Sequence, residues 1–429
     1  MQFTIIIPFF NEAKNIERCI RSIRSNNLIK TEIIFVNDGS TDESVKILKK
    51  FLNKNIKLIS NTRRYGVSYS RNKALNSACG EYIIFIDADD QIASNMLSKL
   101  RNEIKNHRCD FFYIRNKLND LFDENQIKKS HSNNIFHCKF PKIIKNNFYF
   151  RATVWNFIIR KELIIENKIC FGGAKIYEDQ IFLSKIFLKA KNFKVLKKPM
   201  YYKSVDNPNS LGREIGFKVA YSSLIMIFEA AETIKKYNFI DKKFNEFLVT
   251  RIQFGLQELI LNLLICSIFQ KNRILNFMNK KKDIFKYINN ISFKYKDFIL
   301  QNKTVFNSNH FKKRINSIIN RKNNLIVSQC KKHKKDKIYL FCNSQITKVY
   351  LRICKLKKIK INGIIDNNFL FKNKYVESVK IHGQEFLNMQ PQTNSLIIVN
   401  HLEKKVALKI KINLSRKFKK SDVVLSKLL

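Results

Sequence analysis

Three carboxylates close the stretch FIDADD, Phe85–Asp90, directly after a run of apolar residues. If this segment is extended, the side chains of Asp87 and Asp89 point the same way and can face one cation. Ligation by oxygen alone suits Mg²⁺ or Mn²⁺, which also bridge to substrate phosphates. A solvated acidic turn is the alternative, because Asp is common in turns. The position after an apolar strand favours the metal site.

Two further acidic positions could carry chemistry. Asp38 lies in VNDGS, after a second apolar run, where it could equally be a helix-capping residue with Gly39 supplying an unusual backbone angle. Glu178 and Asp179 stand just before an apolar helix. Acids in a first helical turn complement the helix dipole. A carboxylate there could instead remove a proton from a hydroxyl group.

The elements that must position these acids alternate along the first hundred residues. Apolar segments read as strands, and charged segments between them read as helices: FTIIIPFF, TEIIFVNDGS, KLISN and EYIIFIDADD are the strand segments. Strands that are apolar throughout and separated by helices indicate a parallel sheet covered on both faces. Ligands of such sheets bind at the carboxyl ends of the strands. Asp38 and Asp87 are both expected at that edge.

The order IIIPFFNE, VNDGSTD, GVSYSRNKAL, GEYIIFIDADD resembles the inverting family 2 glycosyltransferases with the GT-A fold. The resemblance is close over residues 3–100 and looser to about residue 212. It implies an α/β fold with a Rossmann-like, mostly parallel sheet, a nucleotide-sugar donor that is usually a UDP-sugar, and Mn²⁺ or Mg²⁺ as cofactor. The implied reaction moves a hexosyl or N-acetylhexosaminyl group, with inversion, to a hydroxyl of a bacterial surface glycan, such as lipopolysaccharide, capsule or a lipid-linked oligosaccharide.

The resemblance also assigns roles to residues. Donor binding is implied for Phe9 and Glu12 at the uridine and ribose, Asp38 at the uracil, and Arg71 and Asp87 at the nucleotide. Asp89 is implied as the direct metal ligand, with Asp87 assisting. In the ED pair, Asp179 is implied as the base and Glu178 as a supporting residue.

Several weaker assignments remain open between a site role and a structural role. Arg63 and Arg64 could add positive charge or be solvated. Trp155 and Tyr177 are candidates for the acceptor site, and Trp155 could equally be a core residue. Tyr201 and Tyr202, with Ser210 and Arg213 beyond, resemble the segment that closes the family's active site.

The chain is predicted to contain three parts: a GT-A domain over 1–212, a helical region with a basic linker over 213–335, and a small Rossmann-like α/β domain over 336–429. In the last part, the glycines of a dinucleotide-binding loop are replaced by Cys342, Asn343, Ser344 and Thr347, while Asp366 stands where an acid would meet a ribose. This pattern favours a packing, oligomerisation or membrane-docking module over a dinucleotide site.

The formal net charge of +47 is concentrated away from the acidic motifs. Residues 1–100 hold 15 Lys and Arg against 10 Asp and Glu, whereas residues 301–429 hold 29 against 6. This excess reflects either an AT-rich genome or attraction to an anionic membrane or a phosphate-bearing substrate. The sequence contains no nucleic-acid-binding signature, so no nucleic-acid partner is expected.

The cysteines and the apolar runs limit the kinds of site and the cellular location that the chain could have. Nine cysteines without a C-x-x-C pair argue against a zinc site or a disulfide framework. No run approaches the ~20 apolar residues that a spanning helix needs. A cytoplasmic protein, peripheral on the inner face of the membrane, is expected, and homo-oligomers are left open. The alternative function is a catalytically inactive, basic membrane- or glycan-binding relative; the presence of Asp38, Asp87, Asp89 and Asp179 favours an enzyme.

Overall fold

A computed structural model describes the chain in segments. They are residues 1–116, 136–137, 153–204, 214–236, 242–281, 283–284, 311–332, 337–341, 345–366, 375–383, 395–400, 404–417 and 422–425. The chain forms two compact units. The N-terminal unit comprises Met1–Ser210 and Ile225–Ile252, and the C-terminal unit comprises Leu211–Leu224 and Gln253–Leu429.

The N-terminal unit is built on a nine-stranded sheet. Its strands are β1 (Phe3–Phe9), β2 (Thr31–Asn37), β3 (Ile56–Ser60), β4 (Tyr82–Phe85), β5 (Gln91–Ile92), β6 (Phe111–Asn116), β7 (Phe136–His137), β8 (Phe157–Arg160) and β9 (Asn192–Tyr202). The order across the sheet is β3-β2-β1-β4-β8-β6-β9-β5, with β7 on β9. The first four strands in sequence pair in parallel, while β8 is antiparallel to both neighbours. This confirms the predicted α/β class with a mostly parallel sheet.

Helices cover this sheet in the alternation that the sequence predicts. They are α1 (Ile16–Arg24), α2 (Ser44–Lys49), α3 (Val67–Ser77), α4 (Met96–Asn106), α5 (Lys161–Glu166) and α6 (Glu178–Lys189). Helix α1 shows why they dock. Its buried residues Ile16, Cys19, Ile20 and Ile23 recur at helical spacing and form one apolar stripe in the core under β1 and β2. The opposite face carries the charges.

Parallel pairing brings the carboxyl ends of β1, β2 and β4 to one edge. Phe9 is in register with Asn37 on β2, and Ile6 is in register with Phe85 on β4. The loops that begin at Phe10, Asp38 and Ile86 therefore leave the sheet side by side. These loops carry the acidic motifs.

The C-terminal unit contains helices and a second sheet. Two helices, α7 (Phe217–Lys236) and α8 (Lys242–Leu263), are divided between the units; α9 (Ile268–Lys280), α10 (Phe311–Lys332), α11 (Gln345–Leu356) and α12 (Lys404–Lys417) belong to the C-terminal unit. The strands are β10 (Lys337–Phe341), β11 (Gly363–Ile365), β12 (Tyr375–Val376), β13 (Val379–His382), β14 (Ser395–Val399) and β15 (Asp422–Leu425).

This second sheet has the order β12-β13-β11-β10-β14-β15, and all pairs except β12–β13 are parallel. The predicted C-terminal α/β region is confirmed. Helix α10 extends over Lys331 and Lys332, the first residues of the predicted linker. Cys342, Asn343 and Ser344 lie outside the described residues. Within the described helices, none combines the length and apolarity that a membrane crossing requires.

Gly80 marks a place where the sheet tolerates no side chain. A Cβ atom at this position would lie 2.3 Å from the backbone N of Thr4 and 2.4 Å from the carbonyl C of Phe3. The backbone amide of Gly80 also donates to Thr4 Oγ1 at 2.8 Å. The close approach fixes the start of β4 against β1.

We therefore expect Gly80→Ala to lower the free energy of unfolding by about 1–3 kcal/mol through overpacking. Denaturant unfolding measures this change. Gly173→Ala is the matched control, because its Cβ would meet only Ile225 Cγ2 at 3.9 Å. Equal effects of the two substitutions would contradict the packing explanation.

Candidate active site

The acidic residues after β4 form a turn. The strand ends at Phe85, and the backbone N–H of Asp90 donates to the carbonyl of Asp87 at 3.0 Å. The expectation that Asp87 and Asp89 face one way along an extended segment is therefore wrong, because the chain turns immediately after the sheet. The turn nevertheless gathers carboxylate oxygens of Asp87, Asp89 and Asp90 within 4.8 Å of one another.

Two side chains of helix α1 contact the backbone carbonyls of this turn. The Arg18 guanidinium donates to the carbonyl of Asp89 at 2.9 Å, and Cys19 Sγ lies 3.9 Å from the carbonyl of Asp87. Neither residue was assigned a role from the sequence. Their contacts direct the backbone oxygens toward the helix.

Asp90 is committed to the end of β9. Its buried carboxylate accepts hydrogen bonds from Tyr201 Oη at 2.6 Å, the backbone N–H of Ser204 at 2.7 Å and Lys203 Nζ at 3.1 Å. Burial, followed by the neighbouring charge of Asp87, raises the pKa of Asp90 to about 7. Asp90 therefore anchors the turn, and no local signal in the sequence indicated Lys203 as its partner.

Trp155 packs behind this anchor. Its side chain is 5% exposed and stacks on Tyr201 with ring centroids 4.6 Å apart, while Lys203 Nζ lies 5.6 Å from its ring. The geometry supports the core role for Trp155, and its acceptor role stays a prediction. Tyr201 and Tyr202 lie in β9, while Ser210 and Arg213 of the predicted closing segment fall outside the described residues.

A buried arginine joins the acidic turn to the ED pair. The Arg71 guanidinium donates to Glu178 Oε1 at 2.5 Å and to Asp87 Oδ1 at 3.1 Å. Its Cζ lies 5.3 Å from the Phe171 ring centroid. Burial would raise the pKa of Asp87, but Lys203 and Arg71 more than offset it and hold that pKa below its usual value. Asp87 is thus kept ionised.

The ED pair begins helix α6. Tyr177 immediately before it has φ 69°, a left-handed conformation that is uncommon for a bulky residue. Asp179 is partly buried and accepts a hydrogen bond from the Val154 backbone N–H. Burial and the adjacent Glu178 carboxylate raise the pKa of Asp179 well above its ordinary value, against the lowering effect of Arg71. Such strain and such pKa shifts concentrate at functional sites.

The motif GVSYSRN explains how α3 positions this region. Ser68 Oγ donates to the carbonyl of Ala174 at 3.0 Å. The Asn72 side chain donates to the carbonyl of Phe171 at 3.0 Å and accepts from its N–H at 2.9 Å. Arg71 lies between these two anchors in sequence. The spacing of Ser68, Arg71 and Asn72, which places them on one helical face, was the signal available in the sequence.

Two residues of the later helices also support the ED segment. Glu229 Oε1 accepts from the backbone N–H of Gly173 at 2.8 Å, and the Arg251 guanidinium donates to Gln180 Oε1 at 2.8 Å. Both belong to the N-terminal unit. The sequence assigned this region only to a helical segment, because nothing local in it points to the ED loop.

Three of the residues predicted to bind the nucleotide, Phe9, Glu12 and Asp38, lie at or just after the ends of β1 and β2. Asp38 is buried, and its carboxylate accepts from the backbone N–H groups of Tyr65 at 2.9 Å and Gly66 at 2.8 Å, and from Asn61 Nδ2 at 2.9 Å. Gly66 takes φ +105° in this turn. Asp38 therefore shapes the loop before α3, and its contact with a uracil ring stays a prediction.

Phe9 and Glu12 stand at the same edge. Phe9 is 3% exposed and packs edge-on against Phe35, with its carbonyl accepting the Asp38 N–H at 2.9 Å. Glu12 accepts from Asn15 Nδ2 at 2.7 Å. Arg64 stacks 3.9 Å from the Phe10 ring centroid, and Arg63 lies 5.0 Å from that of Tyr65. Their positions suit a nucleotide site, but their contacts with a ligand remain predictions.

The cluster of Asp87 and Asp89 fits a divalent cation. The donor set is oxygen only, as Mg²⁺ and Mn²⁺ prefer. Asp89, assisted by Asp87, would hold the ion, while the Asp90 carboxylate accepts hydrogen bonds from three donors. Lys203 Nζ, 3.4 Å from Asp87 Oδ2, supplies a fixed positive charge beside it.

The fold and this acidic edge resemble those of nucleotide-sugar transferase domains of the GT-A type. Residues 4–183 match the family model described as Glycosyl transferase family 2. The part of the chain that this model matches is similar to that family.

Relatives with named functions are similar to about half of this chain. The cholesterol galactosyltransferase of Borreliella burgdorferi is 34% identical over 212 residues, which cover 46% of this chain and 58% of the relative. The poly(ribitol-phosphate) beta-N-acetylglucosaminyltransferase TarS of Staphylococcus aureus is 31% identical over 209 residues, covering 47% of this chain and 35% of the relative. The alignments thus span less than two thirds of these relatives.

Solved structures agree on the fold. The crystal structure of S. aureus TarS 1–349 in complex with UDP-GlcNAc has a TM-score of 0.51 and 20% identity, over 74% of this chain and 90% of that chain. At this identity the likeness shows the fold alone.

We expect Arg71→Ala to destabilise the N-terminal unit by about 3–5 kcal/mol, because it leaves the carboxylates of Glu178 and Asp87 without their buried partner. Chemical denaturation measures the change. Arg108→Ala is the matched control: the exposed pair of Arg108 and Glu81, 3.3 Å apart, should contribute below about 1 kcal/mol. Similar losses in both variants would contradict the bridging role of Arg71.

Proposed function

We propose that this chain is an inverting, metal-dependent glycosyltransferase that moves a sugar from a UDP-sugar to a hydroxyl group of an acceptor glycan. One observation carries the proposal. Arg71 brings the ED pair, with its candidate base, up to the acidic turn that would hold the cation. A single displacement needs both halves within reach of one anomeric carbon.

Asp179 is the proposed base. As the acceptor oxygen forms its bond to the anomeric carbon, the bond from that carbon to the diphosphate oxygen breaks, and the hydroxyl proton passes to the Asp179 carboxylate. A base works best when its pKa is near the operating pH. The raised pKa of Asp179, caused by burial and by Glu178, acts in that direction.

Lys203 and Arg71 also place positive charge where the leaving diphosphate would lie in this proposal. Lys203 and Arg71 keep Asp87 ionised and place fixed positive charge at the sheet edge. When bound to Asp89 and Asp87, the divalent cation would act as a Lewis acid toward the leaving diphosphate. Fixed dipoles and charges are effective here because they need no reorganisation during reaction.

The donor and acceptor are proposed from the named relatives and from charge. Transfer of galactose and of N-acetylglucosamine by relatives supports a hexosyl or N-acetylhexosaminyl donor, and the UDP-GlcNAc complex supports UDP. We propose a surface glycan or a lipid-linked glycan as acceptor, reached from the inner face of the cytoplasmic membrane. The basic excess of residues 301–429 suits an anionic membrane.

An inactive, basic membrane- or glycan-binding relative is the alternative function. Such a chain has no need to keep a strained Tyr177 or an ionised Asp87. The retention of Asp38, Asp87, Asp89 and Asp179, brought together with these features, favours the enzyme.

We expect Asp89→Asn to abolish Mn²⁺-dependent binding and slow hydrolysis of a UDP-sugar, because the cation loses its direct carboxylate ligand. Calorimetric titration of UDP-GlcNAc and UDP-galactose, with Mn²⁺ and with EDTA, measures binding, and released UDP measures hydrolysis.

Glu43→Gln is the matched control, since Glu43 is exposed and pairs only with Lys46 at the surface in the described contacts. Unchanged binding in Asp89→Asn would contradict the metal site. Absence of nucleotide binding in the unsubstituted chain would contradict the proposed function.

We expect Asp179→Asn to lower kcat by about 10²–10⁴ while donor binding persists. Glu178→Gln gives a sharper test, because Glu178 raises the pKa of Asp179. The base must be deprotonated, so activity falls as pH drops through that pKa. Removing the Glu178 charge lowers the pKa and should move the acidic limb of kcat/KM to lower pH, by about one unit. An unmoved limb in Glu178→Gln, or one moved upward, would contradict Asp179 as the base.

A further inference from the structure

Two adjacent apolar side chains stand out from the first turn of α9. Ile268 is 79% exposed and Phe269 is 71% exposed, the two largest exposed fractions of any large apolar side chain among the described residues. Isolated exposed apolar residues are ordinary, but two large neighbours at such exposure call for a partner.

The turn that carries them is well fixed. Ser267 Oγ accepts from the backbone N–H of Gln270 at 3.2 Å, and Gln270 Oε1 accepts from the Ser267 N–H at 3.0 Å, which together form a capping box. Further along, Ile274 and Met278 are buried and hold the helix to the C-terminal unit. Ile268 and Phe269 are therefore presented on a rigid base.

The helix that carries this pair has a basic sequence. Residues 268–282 contain five Lys and Arg and no Asp or Glu. Arg273, Lys280 and Lys281 are exposed, and Arg273 is propped against the Phe217 ring at 5.2 Å. An apolar tip on a basic helix matches a surface that is apolar beneath and anionic on top.

We propose that Ile268 and Phe269 insert into an anionic lipid bilayer, with Lys271, Arg273, Lys280 and Lys281 contacting its headgroups. Amphipathic helices with Lys or Arg beside Phe or aliphatic residues bind at the boundary between the headgroups and the acyl chains. A second copy of the chain is a less suitable partner for this pair, because each copy carries a net charge of +47 and the same basic helix. The inference makes the proposed membrane location specific, and it does not depend on catalytic activity.

A single reporter tests insertion directly. The native Trp155 is 5% exposed, so Phe269→Trp adds one exposed fluorophore. With vesicles of equal parts phosphatidylglycerol and phosphatidylcholine, its emission should shift to shorter wavelength and be quenched by brominated acyl chains. Leu356→Trp is the matched control, because Leu356 is 70% exposed and also has basic neighbours, Lys355 and Lys357. It should show neither change.

Vesicle co-sedimentation supplies the second measurement. Ile268→Ser with Phe269→Ser should weaken binding to the anionic vesicles about tenfold or more, whereas Leu356→Ser should stay within about twofold. Binding of the unsubstituted chain should fall with added salt and be weak on pure phosphatidylcholine.

Four results would overturn the proposal: no spectral change of Phe269→Trp on anionic vesicles, equal changes in the Leu356 variants, equal binding to phosphatidylcholine, or a shift of Phe269→Trp that follows protein concentration without lipid. The last would assign the tip to contacts between copies. Because every readout is lipid binding or self-association, a negative result leaves the glycosyltransferase proposal to its own nucleotide tests.

Discussion

The guanidinium of Arg71 lies between two carboxylates that reach it from distant parts of the chain. Asp87 follows the fourth strand, and Glu178 opens a helix about ninety residues later, yet both carboxylates accept hydrogen bonds from the one buried guanidinium. A buried ion pair is costly to form because both groups lose water. Its value here is positional, since one guanidinium holds the two carboxylates, and the segments that carry them, close together.

Helix α3 makes this arrangement a property of the fold. Its first turn receives the Asp38 carboxylate through the Gly66 N–H, its middle carries Arg71, and its Ser68 and Asn72 bind the loop before the ED pair. Helix α3 therefore supports three features at once: the strand edge that is predicted to bind the nucleotide, the acidic turn and the candidate base. Sites built on regular elements keep their geometry better than sites built on loops.

The second support is the end of β9. Tyr201 and Lys203 bind Asp90, and Trp155 packs behind them. The acids of the turn therefore differ in their contacts: Asp90 fixes the turn, Asp87 accepts from Arg71 and Lys203, and the metal role of Asp89 stays a prediction. The lysine also balances negative charge that would otherwise accumulate in a partly buried space.

The sheet, its parallel order and the strand-end location of the acids follow from the sequence, because apolar runs and helical spacing are local signals. The pairing of Asp90 with Tyr201 and Lys203 could not be predicted, since it joins residues more than a hundred positions apart. The turn at Asp87 was missed for a different reason: strand propensity continues through Ile86, whose N–H still donates to the carbonyl of Ile6 on β1, but the pairing of β4 with β8 ends at Ile84. Trp155 shows that residue type alone does not separate a sugar platform from core packing.

In the proposed site, one cation bound at Asp89 and Asp87 serves a nucleotide beside Arg71. The most direct measurement is anomalous diffraction at the manganese edge from crystals grown with Mn²⁺ and UDP. We predict one peak within about 2.5 Å of an Asp89 carboxylate oxygen. We also predict that UDP lies along the ends of β1 and β2, that Asp90 stays outside the coordination sphere and that Arg71 still joins Asp87 to Glu178. UDP bound elsewhere, or manganese ligated without Asp89, would contradict the proposed site.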